Sequence, residues 1–91
     1  MGTRNYLGIV EPGPQNWSIS FPAFPGTVTT GDTYDELMVH ARDALATVIE
    51  AMQEEGQVVP DGFDTAQRTP AYDAGDYRDP RAVVLPVEVT A

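Results

Sequence analysis

The chain has 91 residues, no cysteine, and 14 acidic side chains against five basic ones, for a formal charge of −9. This length fits one domain with one thin core, and the missing thiols exclude disulfides and thiolate metal sites. The acid excess disfavours a phosphate backbone as ligand, and it either favours encounter with a basic protein or only keeps the chain soluble.

Tyr6 to Val10 is an apolar run of strand length, followed by the turn-rich Glu11-Pro12-Gly13-Pro14-Gln15-Asn16. Trp17-Ser18-Ile19-Ser20-Phe21 alternates apolar and polar with period two, so a second strand closing a hairpin is predicted. Pro22-Ala23-Phe24-Pro25-Gly26 is a rigid bend, because two prolines cannot feed a central ladder. Thr27 to Thr30 is β-branched throughout and predicts a third strand, ending at Gly31-Asp32.

A helix over about 34–55 follows. Thr33 and Glu36 have capping-box spacing, and Asp35 and Glu36 suit the positive end of the helix dipole. Leu37, Ala41, Ala44, Leu45, Val48, Ile49 and Met52 form one apolar stripe, and Gly56 is the expected stop. Ala41 and Ala44 are small enough to let the helix lie close to a sheet. Residues 61–80 show no sustained period. They read as an irregular loop, with Phe63, Tyr72 and Tyr77 as anchors if it lies over the surface. Arg81 to Val89 is a last strand whose Pro86 argues for an edge or a bulge.

The order is β-β-β-α-β, an α+β domain with a predicted sheet order of 3-2-1-4 and the helix on one face. A fourth strand beside the first, reached by one crossover helix, is expected to run parallel to it. No apolar run approaches the ~20 residues that span a bilayer, and Met1-Gly2-Thr3-Arg4-Asn5 lacks a signal-peptide core. The cytoplasm is the expected compartment.

Catalytic machinery is sparse. His40 is the only histidine and has no nucleophile in a motif with it, so it reads as a surface or boundary residue. Asp32, Asp35, Glu36 and Asp43 cluster near the helix start. A metal-dependent nuclease would use such acids, but capping already accounts for Asp35 and Glu36. No glycine-rich phosphate loop is present. No enzyme, metal or cofactor is expected, nor direct nucleic-acid binding. The bend Phe21 to Gly26 has two readings. It is either a structural corner pinned by Phe24 or a rigid binding loop.

The string Phe21-Pro22-Ala23-Phe24-Pro25-Gly26-Thr27-Val28-Thr29-Thr30-Gly31-Asp32-Thr33 resembles the pattern F-P-D-x-P-G-x-x-T-x-G-D-T of the HicB-like antitoxins. Asp35-Glu36-Leu37 through Ala41, Asp43-Ala44-Leu45, Gly56 and Val59-Pro60 resemble that family's helix and exit. The resemblance implies a partial RNase-H-like fold without catalytic carboxylates. It also implies a HicA-type toxin as partner, a small basic messenger-RNA ribonuclease whose active surface the antitoxin covers. Ala23 stands where the family has Asp, so any role of that acid is lost. Many family members continue into an operator-binding segment. That segment is expected to be absent here, and operator binding is not carried over.

The expected partner interface is Phe21, Pro22, Phe24, Pro25, Asp43, Glu50 and Glu54. Gly26, Gly31, Thr33, Glu36 and Gly56 are expected to be structural. A homo-oligomer is expected from the exposed sheet edges. The alternatives are a stand-alone protein- or ligand-binding domain of the same fold, or a nuclease dependent on Asp32 and Asp35.

Overall fold

The computed structural model describes residues 2–64, 66, 69–70 and 80–89. Its elements are β1 (Gly2–Pro12), β2 (Trp17–Ser20), β3 (Val28–Gly31), α1 (Tyr34–Glu54), β4 (Phe63–Asp64), β5 (Thr69–Pro70) and β6 (Ala82–Val89). Four strands form one sheet in the order β3-β2-β1-β6, and β4 and β5 pair separately. Every pairing is antiparallel.

That last fact corrects the expected direction of the final strand. β6 runs antiparallel to β1, in register from Gly2↔Val89 to Ile9↔Ala82. The cause is the connection after the helix. After the helix Gly62 lies against Asn5, near the start of β1, whereas β6 begins beside Val10, near the end of β1, so β6 enters from the end opposite to the one a single crossover would use. The segment 61–80 was expected to be irregular throughout, but its described residues include two short strands. It contributes β4 and β5, and Phe63 is buried; Tyr72 and Tyr77 lie outside the described residues. β1 starts at Gly2 rather than Tyr6, because its polar first residues pair with β6.

The core sits between α1 and one face of the sheet. Strand alternation points Tyr6 and Val10 of β1 and Ile19 of β2 toward α1, where they join Leu37, Ala41, Leu45 and Ile49. Leu85 and Val87 reach the same cluster from β6. Leu37, Ala41 and Leu45 are fully buried, and each buried leucine contributes roughly 1.5–3 kcal/mol. Leu7 faces the other way and is also buried, so the sheet is covered on both sides at that point. Tyr6 buries its ring against Phe24, with centroids 5.1 Å apart. Its hydroxyl donates to the Pro60 carbonyl at 2.8 Å, which satisfies the one polar atom that burial would strand.

Both helix ends are capped by side chain and backbone. Thr33 Oγ1 accepts from the Glu36 amide at 3.1 Å. The Glu36 carboxylate reaches back to the Asp32 amide at 3.5 Å rather than to that of Thr33, a one-residue variant of the capping box. At the other end Gly56 has φ +73°. Its amide donates to Gln53 and that of Gln57 to Met52, the Schellman arrangement that a positive φ permits. Gly31 is required for a different reason. A Cβ there would lie 2.6 Å from the Leu37 backbone nitrogen, so only hydrogen lets β3 end against the first turn of α1.

Candidate functional site

The face of α1 opposite the core carries a row of acids. Glu36, Asp43 and Glu50 are seven residues apart, two helical turns or about 10 Å each, and Glu54 follows one turn later. All four are exposed. The row runs into the negative end of the helix dipole, where the last turn has no basic residue and Glu54 is followed by Glu55. Each carboxylate in that position costs about 0.3–1 kcal/mol. Such a break in the local electrostatic rule makes this crest a candidate functional surface. Arg81 is engaged elsewhere, pairing with Glu11 at 3.1 Å across two exposed side chains.

Beside this row, on the β3 side, lies an open groove of about 600 Å³. Ala44, Val48 and Ala51 form its apolar helix wall, Thr27 and Thr29 its sheet wall, and Asp43 its acidic rim. The groove exists because the two elements differ in length. A four-residue strand spans about 14 Å, and a helix of 21 residues spans about 31 Å, so α1 is much longer than β3 and runs on past it. His40 closes one end. Its Nδ1 lies 2.7 Å from the Thr30 carbonyl oxygen. A carbonyl can only accept, so Nδ1 carries the proton.

The expected interface residues separate into two groups. Asp43, Glu50 and Glu54 share the exposed crest of α1. Glu50 also borders a hollow on the β6 side, with Gln53 and Glu88. Phe21 and Phe24 are not surface residues: they are 2% and 4% exposed and belong to the core. The Phe24 amide donates to the Phe21 carbonyl at 2.9 Å, and that of Thr27 to Phe24 at 3.0 Å. These bonds fold the bend so that both rings turn inward, the structural one of its two readings. Of that stretch, Pro22 is half-buried and Pro25 is exposed. The bend ends at Thr27, which shares the groove with Ala51 of the last helical turns.

The groove itself and the placing of His40 were missed by sequence reasoning. The signal was a second helical stripe, His40, Ala44, Thr47 and Ala51, running beside the core stripe at the same spacing. Among the described residues, no group of three or more histidines and carboxylates is arranged to hold a metal ion. Among them also, no helix is long and apolar enough to cross a membrane. The arrangement offers an apolar trough, a strand edge and a line of negative charge, which together suit a protein ligand.

Residues 6–91 match the model of a family described as the HicB-like antitoxin of bacterial toxin–antitoxin systems. No curated protein sequence matches the chain. Among solved structures, the N-terminal domain of the Burkholderia pseudomallei antitoxin HicB is similar at 22% identity and a TM-score of 0.62. That match covers 96% of this chain and 99% of the other. A chain of the HicA3 and HicB3 toxin–antitoxin complex is similar at 23% identity and a TM-score of 0.63, covering 96% and 99%. A chain of a toxin–antitoxin complex from Streptococcus pneumoniae is similar at 15% identity and a TM-score of 0.63, covering 96% and 69%. These likenesses concern the fold; the family follows from the sequence match over residues 6–91. On that match, the chain belongs to the HicB-like antitoxin family.

Proposed function

We propose that this protein is a non-catalytic antitoxin that binds a small basic HicA-type ribonuclease and blocks its RNA-binding surface. The observation that carries the reading is the acidic crest of α1, which runs into a last helical turn that has no basic residue. Such a row resembles an RNA backbone in sign and in its linear arrangement, and a basic toxin meets it by electrostatic steering. The solved toxin–antitoxin complexes among the structural neighbours support the same reading.

The test is titration of a purified HicA-type ribonuclease with the antitoxin, reading RNA cleavage and affinity. Inhibition is expected at stoichiometric ratio, with affinity falling as salt rises from 50 to 500 mM, because exposed charges are screened beyond about 10 Å at 0.1 M. The triple variant Asp43→Asn, Glu50→Gln, Glu54→Gln is expected to bind at least about tenfold more weakly, or ~1.4 kcal/mol. Undiminished cleavage at excess antitoxin would remove the reading.

A further inference from the structure

The hydrogen-bond phase of the sheet can be traced outward to its edge. The Val10 amide donates to Arg81, so the Val10 backbone faces β6. Alternation then turns Ile9 and Glu11 toward β2, Ile19 and Trp17 toward β3, and Thr29 and Gly31 back toward β2. Val28 and Thr30 are left with their amides and carbonyls directed away from the sheet. His40 takes the Thr30 carbonyl. Among the described residues, nothing bonds the Val28 amide, the Val28 carbonyl or the Thr30 amide beside the groove.

We propose that this edge of β3 takes an extended strand from a basic protein partner, which extends the sheet and lays alternate side chains into the groove. Three observations select that occupant. The open backbone groups are those of strand addition, where main-chain bonds supply affinity and pockets read every second residue. The floor of Ala44, Val48 and Ala51 admits β-branched or aliphatic side chains. The rim carries Asp43, with Glu36 and Glu54 on the same crest, so an arginine or lysine is the matching neighbour. A second copy of this chain would bring its own −9 charge and the same acids to the rim. His40 acts as a removable guard: its exposed ring holds one carbonyl and swings aside when the incoming strand replaces that bond. The inference rests on the toxin-binding reading and goes beyond it by naming the edge and the mode of contact.

The experiment uses the full chain and the same HicA-type ribonuclease. Hydrogen exchange is followed with and without the ribonuclease, and affinity is measured for Val28→Pro and Val84→Pro. Proline at 28 removes an outward amide and no bond of the existing sheet; Val84 is its counterpart on β6 and serves as control. The expected result is slowed exchange at the Val28 and Thr30 amides, about tenfold weaker binding for Val28→Pro, and unchanged binding for Val84→Pro. Circular dichroism verifies folding, and the exchange data on the unaltered protein decide the matter if Val28→Pro does not fold. Tight binding with no protection at Val28 and Thr30 would overturn strand addition and leave the antitoxin reading intact. A dimer of this chain that protects the same amides without ribonuclease would overturn the choice of occupant. Failure of the unaltered protein to bind would overturn both.

Discussion

The two outer strands of the sheet, β3 and β6, solve the same problem differently. β6 is eight residues long and faces outward with Ala82, Val84, Pro86 and Glu88, by the alternation that pairs Arg81 with Val10. Pro86 has no amide to offer in the middle of that row, and Glu88 adds charge near its end. Both are permanent blocks to edge pairing. β3 is four residues long and carries neither device. Its protection is one imidazole from another element, which rotation about two side-chain bonds can withdraw. A permanent guard suits an edge that must stay single, and a reversible one suits an edge used on demand.

The largest perturbation should abolish the contrast altogether. Leu45 is fully buried under the whole sheet, and Leu45→Ala is expected to cost about 2–5 kcal/mol, with amides at both edges losing protection together in hydrogen exchange. Gly31→Ala should act on one side. The added Cβ meets the Leu37 backbone, at an expected cost of about 1–3 kcal/mol. Exchange should quicken in β3 and the first turn of α1 well before β6. Thr33→Ala removes the cap bond to the Glu36 amide and should lower stability by ~1 kcal/mol, seen as a lower urea midpoint at unchanged slope. Pro86→Thr should change stability by less than ~0.5 kcal/mol yet restore an outward amide to β6. Sedimentation should then show association that rises with concentration, and a persistently monomeric variant would remove the role given to Pro86.

The elements on which this contrast stands were unequally legible in the sequence. The helix was readable because Thr33, Glu36, the apolar stripe and Gly56 all specify the same object. The central strands were readable from period-two alternation at Trp17 to Phe21. The direction of β6 was not, since Ala-Val-Val-Leu-Pro-Val-Glu-Val alternates equally well in either sense, and only the placing of Arg81 beside Val10 decides it. The first residues of β1 were hidden because a polar strand end has no apolar signature. The acids of the site were visible as charge, and Asp43, Glu50 and Glu54 do lie on one crest. The aromatics misled because Phe21 and Phe24 beside prolines look like a display loop, whereas hydrogen bonds between backbone groups turn them inward. The groove was invisible because it depends on α1 outreaching β3, a difference in length that no local pattern encodes.

The antiparallel pairing of β1 with β6 has a topological consequence. Gly2 and Val89 are cross-strand neighbours, about 5 Å apart at Cα, so the start of β1 and the end of β6 meet at a single corner of the sheet. Joining them by a few glycines and reopening the chain within the exposed turn at residues 13–16 would yield a circular permutant with the same sheet. Its new ends would emerge near the start of α1 instead, so cargo fused there would project from the opposite pole of the domain.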